Sequence, residues 1–341
     1  MNLRRSAALA AALAVLLLPM AATAVSGFQG PVFKLDTAPN GDILAADAGA
    51  GVAVIRDGVL QSTLPAPGAA SVAAIGSKSF WVVTGGADPE TDSGQALWRM
   101  SNGKARMVAN LFALEEAENP DGEEVDSNPY DVASLGGDAA LVVDAGGNSL
   151  WRIDNQGNAE LIATFADALL STSNWNAICV DLGPFGPPCP IPAPAIPGQS
   201  VPTSVVVAPD GAYWVGELKG FPAPTGQSSV WRIEPGATGV VCGDDAECVP
   251  VLGGFTSIVD LALGPDGKLY VSELDEKSWA AVEIFQSEAV GGTLNACNLS
   301  TTVCKVVASG VPEHTAVTFD EAGTPWVTRH ALTNPEVIPL G

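Results

Sequence analysis

The chain reads as an all-β protein, a six-bladed β-propeller of four-stranded antiparallel blades. Two observations predict this. A module of short strands recurs six times, and one residue keeps step behind the tight turn of every copy. Three copies read GGDAALVVDAGGNSLWRID (136–154), PDGAYWVGELKGFPAP…VWRIEPG (209–236) and PDGKLYVSELDE (265–276). Weaker copies are PNGDILAADAGAG (39–51), GSKSFWVVTGG (76–86) and EAGTPWVTRH (321–330). With Gly41, Lys78, Asp138, Gly211, Gly267 and Gly323 as turn residues, six positions onward stand Asp47, Thr84, Asp144, Glu217, Glu273 and Arg329. Successive turns lie 37, 60, 73, 56 and 56 residues apart. A four-stranded blade needs about 40–45 residues, so the longer intervals mean loops inserted on one face. Radial repetition protects sheet edges. A two-sheet sandwich would not explain six turns in register.

The elements follow from local chemistry. In the fourth module, residues 203–207 form one strand, Pro209-Asp210-Gly211 the turn, 213–217 the next strand and 230–233 a third. Short β-rich runs bounded by Gly, Pro, Asn and Asp are hairpin signals. No later stretch keeps a capped 3.6-residue apolar period, so helices should be minor. Three excursions interrupt the modules. Residues 115–126 carry seven acids in twelve positions and read as a solvated acidic loop or a weak calcium loop, although the EF-hand spacing is absent. The Pro-rich run 183–202 reads as a stiff irregular segment rather than a strand. The third, 291–304, contains the sequon Asn298-Leu299-Ser300, which matters only in a eukaryotic secretory pathway.

Composition sets the compartment. Arg4 and Arg5, an apolar run over 7–18 and Ala22-Thr23-Ala24 make residues 1–24 a signal peptide, with one propeller domain expected over 25–341. The expected location is secreted, periplasmic or extracellular. No later run approaches the roughly 18 apolar residues of a membrane helix. Net charge is −23, and without Arg4 and Arg5 it is −25. Such a surface repels nucleic acid and anionic lipid, keeps a protein soluble and attracts hard cations. The six cysteines fall into the pairs Cys179/Cys189, Cys242/Cys248 and Cys297/Cys304, without a C-x-x-C motif. Behind a signal peptide these read as three local disulfides, with connectivity formally open. A monomer is expected.

The phrases NPYDVASL…LVVDAGGNSLWRID, VPTSVVVAPDGAYWVGELKGFPAP and FTSIVDLALGPDGKLYVSEL resemble the ScyD/ScyE family of secreted proteins over residues 31–329. The resemblance implies a six-bladed propeller and brings no catalytic residues. VVDAGGNSLWRID is also similar to the NHL repeat in Asp144, Asn148 and Arg152. WVGEL and WVTRH more distantly resemble streptogramin-lyase and gluconolactonase propellers, which use a divalent cation in the central channel.

Two rings of candidate residues follow from the register. The six-on residues should mark one face. Of these, Asp47, Asp144, Glu217 and Glu273 either accept backbone N–H groups in their own turns or gather round a cation such as Ca²⁺. Seven positions before each turn stand Lys34, Ser71, Asp131, Ser204, Asp260 and Ala316. A carboxylate there is costly unless paired, so Asp131 and Asp260 belong either to an ion pair with Lys34 or to a ligand site. The candidate metal set is Asp131, Asp260, Glu217 and Glu273. His314 and His330 are candidate general bases, or structural. The repeated Trp98-Arg99, Trp151-Arg152 and Trp231-Arg232 read as packing between blades. The functional expectation is a non-catalytic binding or scaffold protein taking a small molecule or a protein at the channel mouth. The alternative is a metal-dependent lactonase- or lyase-like enzyme.

Overall fold

The computed structural model describes residues 24–183 and 186–341; the expected leader up to residue 23 lies outside the described residues. Six antiparallel sheets close into a ring. Their innermost strands are Val32–Thr37, Ala69–Gly76, Pro129–Ser134, Pro202–Val207, Ile258–Leu263 and Val317–Phe319. Each neighbours the next, and the last returns to the first. The second strands are Ile43–Asp47, Ser79–Thr84, Ala139–Asp144, Tyr213–Glu217, Leu269–Glu273 and Pro325–Arg329. Every one ends on the residue that the six-on count selects, so all six stand at one end of equivalent strands.

The inner strands are apolar runs rather than alternating ones because both faces of a blade are covered. Six clusters of buried side chains fill the six gaps between adjacent blades. The cluster between the third and fourth blades, for example, packs Leu141, Val143, Leu150 and Phe165 on Val205, Val215 and Ile233. Each such side chain contributes about 1.5–3 kcal/mol when fully buried. The repeated third-strand tryptophans Trp98, Trp151 and Trp231 lie in or against three of these gaps, as packing residues.

Four blades have four strands, and two depart from that count. The third blade gains Val240–Cys242, which crosses from the fourth blade and lies parallel to Ala159–Phe165. That covers an otherwise open edge. The sixth blade has three strands, and Val25 exchanges both backbone hydrogen bonds with Val337 at 2.9 Å, closing the ring with the N-terminal segment. Helices are few and short. The acidic excursion is not all loop, because Glu115 to Glu118 lie in the helix Leu111–Glu118. Nor is the Pro-rich run wholly irregular: Ala195–Gly198 pairs with Ala168–Ser171 as a hairpin. All three cysteine pairs are bridged locally, Cys179–Cys189, Cys242–Cys248 and Cys297–Cys304. No helix among the described residues is long and apolar enough to cross a membrane.

Candidate functional site

A β-bulge in five of the six blades positions the hub. The first residue of the innermost strand pairs with the six-on residue of the second strand, and the register then slips: Val32 with Asp47, Ala69 with Thr84, Pro129 with Asp144, Pro202 with Glu217, Ile258 with Glu273. A bulge bends its strand and re-aims side chains. Here the residue after the slip belongs to the hub ring, and the slipped residues (Phe33, Ala70, Tyr130, Thr203 and Val259) stand one position before it.

The hub ring is a closed polar circuit. Lys34 Nζ lies 2.8 Å from Asp260 Oδ1 and 3.4 Å from Asp131 Oδ2, and donates to the Val259 carbonyl at 2.7 Å. Asp131 accepts from Ser71 Oγ (2.7 Å), Val132 N (2.8 Å) and Val205 N (2.8 Å), joining the second, third and fourth blades. Asp260 accepts from Val317 N at 2.8 Å, which ties in the sixth. Lys34 is 2% exposed, Asp131 5% and Asp260 4%. Burial pushes the Asp260 carboxyl up to about 6; Lys34 opposes the rise and Asp131 adds to it. Charged residues stand on the first, third and fifth blades, small ones on the others.

This plug divides the channel. Towards the tight-turn face lies a cavity of about 460 Å³, floored by Lys34, Asp131 and Asp260. Burial there raises the Asp36 carboxyl to about 6, even though it accepts Ala74 N at 2.6 Å. Towards the other face lies a smaller chamber of about 210 Å³, walled by Phe33, Tyr130, Thr203, Val259, Leu332 and Glu283 among others. The Phe33 and Tyr130 rings are 6.0 Å apart, and Lys34 Nζ sits 5.5 Å from the Tyr130 centroid.

The longest insertions build a cap on that second face. Trp175, Ile178 and Ile191 pack with Ala223, Ala280, Ala281 and Phe285. The Trp175 ring meets Phe221 at 4.8 Å and Phe285 at 5.3 Å, both edge-on. Asn174 Nδ2 donates to Ala223 O, Lys277 O and Ser278 Oγ, fastening the Cys179–Cys189 excursion to the two later insertions. Beneath it, Val282 packs on Val259 and Leu274, so the short helix Trp279–Glu283 lies over the channel mouth.

The six-on residues do a different job. Asp47 accepts from Gln29 N, Gly30 N and Gly49 N at 2.8–2.9 Å. Asp144 accepts from Ser127 Oγ, Asn128 N and Gly146 N. Glu273 accepts from Thr256 N and Asn295 Nδ2. Each therefore anchors the segment that enters its own innermost strand. Glu217 is fully buried, accepts from Trp231 Nε1 (2.7 Å) and pairs with Lys219 (3.0 Å). Thr84 donates to Gly94 O at 2.7 Å, and Arg329 pairs with Glu336. Glu217 and Glu273 line neither chamber; the residues that follow them, Leu218 and Leu274, do. Of the four candidate metal ligands, then, the structure brings Asp131 and Asp260 together, with Lys34 between them. Among the described residues no group of three or more His, Cys, Asp and Glu is arranged to hold an ion. His314 is buried, with Nδ1 3.2 Å from Thr328 O, and burial lowers its pKa to about 4. His330 is exposed. Neither histidine lines a chamber.

Sequence reasoning passed over Phe33, Tyr130 and Glu283. The first two were findable, since both precede hub residues in the register. It also left Glu115 inside an acidic run, whereas the structure buries it to 1% exposure. Burial pushes its carboxyl up to about 8, with Asp144, Asp121 and Asp126 adding to the rise.

No protein-family profile and no curated protein sequence matches the chain. Solved structures do. A gluconolactonase from Xanthomonas campestris aligns at 12% identity over 93% of this chain and 88% of that one, with a TM-score of 0.54. The soluble aldose sugar dehydrogenase of Escherichia coli aligns at 12% identity over 91% and 96%, with a TM-score of 0.53. A Bacteroides thetaiotaomicron protein of unknown function aligns at 11% identity over 93% and 72%, with a TM-score of 0.54. The chain spans 32% of the extracellular domain of a two-component system from the same organism, at a TM-score of 0.46. At these identities the likeness shows the fold alone.

Proposed function

We propose that this propeller is a non-catalytic, extracytoplasmic binding protein that takes a small organic ligand into the capped chamber. The observation that carries this is the identity of the cation at the hub. The two axial carboxylates share the ammonium of Lys34, a fixed part of the chain that also donates to the Val259 carbonyl, and Asp131 is further held by donors from Ser71, Val132 and Val205. The ion pair and these donors occupy the hub carboxylates, and of the two cavities beside the plug the capped one carries the aromatic and aliphatic walls of Phe33, Tyr130, Val259 and Leu332. Its mix of aromatic and aliphatic walls with a few polar groups suits a small, partly apolar molecule. Three disulfides are what an oxidising compartment produces. The alternative, a lactonase- or lyase-like enzyme, would use Asp131 and Asp260 as ligands of a divalent cation and would require Lys34 to leave them.

The test is recovery of bound small molecules from the full chain after exposure to spent culture medium, by denaturation and mass spectrometry. The wild type should retain a compound that Leu332→Trp, which fills the chamber from a loop, does not. Equal recovery from both proteins would contradict the proposal. So would hydrolysis of lactones that needs an added divalent cation and is lost in Asp260→Asn.

A further inference from the structure

Tryptophan recurs three positions after the turn residue in three blades, as Trp81, Trp214 and Trp326. Each is buried in the gap between its own blade and the next. A buried indole N–H ordinarily finds an acceptor, and two of the three have one. Trp81 Nε1 donates to Gly136 O, in the turn of the next blade, at 3.0 Å. Trp326 Nε1 donates at 3.1 Å to Asp320 Oδ2, three positions before its own turn residue. Trp214 is 8% exposed, and its Nε1 has no hydrogen-bond partner among the described residues. In its blade the position that corresponds to Asp320 is Ala208, whose side chain brings no acceptor. Ala208 and Trp214 both line a cavity of about 410 Å³ between the fourth and fifth blades.

We propose that this cavity binds a neutral carbonyl compound, a ketone, ester or amide on an apolar body, whose oxygen takes beside Trp214 the place that Asp320 takes beside Trp326. The lining sets the class. Val251, Leu252 and Leu299 give it apolar walls. An ordered water needs two to four polar partners, and the hydroxyls of the lining belong to the exposed Ser300 and Thr302. Arg232, the cross-strand neighbour of Trp214, is the one cation of the lining, and Asp210 and Glu234 already hold it. One guanidinium between two carboxylates leaves no positive charge over for an anion, so the acceptor that suits this donor is uncharged. Trp214 Nε1 is closed to solvent. Leu299, in the turn between the strands Gly292–Asn298 and Val303–Val311, packs on the same buried cluster and is the side chain that the ligand displaces to reach it. The site shares no residue with the hub cavity or the capped chamber.

The experiment is titration of the isotope-labelled full chain with cyclohexanone, followed by the indole N–H resonances in nuclear magnetic resonance spectra. The resonance lost in Trp214→Phe assigns Trp214. In the wild type its indole proton should move downfield as the ketone is added, and the shift should saturate. Ala208→Asp, which repeats the Asp320 contact within the chain, should show that proton downfield before any ketone is present and unmoved afterwards. Trp214→Phe keeps the packing and removes only the donor. Its affinity for cyclohexanone, followed at the Thr302 backbone amide, should fall about two- to tenfold, the worth of one hydrogen bond. The proposal is overturned by a Trp214 proton that stays in place up to the solubility limit of cyclohexanone, by Ala208→Asp titrating as the wild type does, or by Trp214→Phe binding as tightly as the wild type.

Discussion

Replacing Lys34 by Met keeps the aliphatic stem that fills the axis and deletes only the ammonium. What remains is two carboxylates, 4–5% exposed, facing each other across the hub. Asp131 keeps three donors, from Ser71, Val132 and Val205, so most of the loss falls on Asp260, whose remaining firm donor is Val317 N. Removing one partner of a buried ion pair costs about 3–5 kcal/mol. Unfolding entropy of about 2.1 cal/mol/K per residue makes each kcal/mol worth about 1.5 °C in a chain of this size, so Tm should fall by about 5–8 °C at pH 8. The pH dependence carries a sign. A carboxyl raised in the folded state contributes stability that is fully present below its unfolded value near 4 and is lost as pH rises through its folded value. In the wild type that folded value is about 6 for Asp260. Without Lys34 to oppose the rise it must go higher. The variant should therefore recover as pH falls from 8 towards 6, while the wild type has yet to titrate, and the gap between them should narrow. Calorimetric melts of both proteins at half-unit pH intervals measure this directly. A Tm within about 1 °C of the wild type at pH 8, or a gap that widens on acidification, would refute the ion-pair account.

Three further outcomes follow from other parts of the molecule. Replacing Cys179 and Cys189 by Ser opens a ten-residue loop in the cap, which should cost up to about 3 kcal/mol and expose the 170–200 segment to protease before the blades unfold; limited proteolysis that starts instead in the ring would argue against a separately fastened cap. Trp231→Phe removes the donor to buried Glu217, whose Oε1 already lacks a partner, and should destabilise the chain by about 1–3 kcal/mol in urea titrations; Glu217→Gln in that background should recover part of the loss. Intact mass of exported protein should show a chain that begins near Val25, the residue that closes the sixth blade; a retained Met1 would remove the leader from the account.

The register was legible because every blade repeats one turn and one second-strand length. A count of six from the turn residue therefore lands on the strand end in all six blades, even where Lys78 and Asp138 replace glycine. Counting back seven found the hub for the same reason. Pairing was a different matter. Lys34 and Asp260 lie 226 residues apart, and only closure of the ring decides that they meet while Glu217 and Glu273 turn away into their own blades. Phe33 and Tyr130 stand one position before the hub residues, so the register marks their places, but nothing local says that a bulge turns them into the chamber, since an aromatic residue beside a charged one is ordinary strand chemistry. The cap was invisible for another reason: its core gathers Trp175, Phe221 and Phe285 from three insertions, none of which has enough apolar residues to form a unit alone. In the acidic run, composition marked the charges but could not say which one the fold would bury.

The most direct measurement is a crystal structure of the full chain grown with calcium, with any bound ion located by its anomalous signal. The account predicts the Lys34 ammonium between Asp131 and Asp260 on the axis, with no anomalous peak there. A peak on the axis between Asp131 and Asp260, with Lys34 displaced from them, would contradict it.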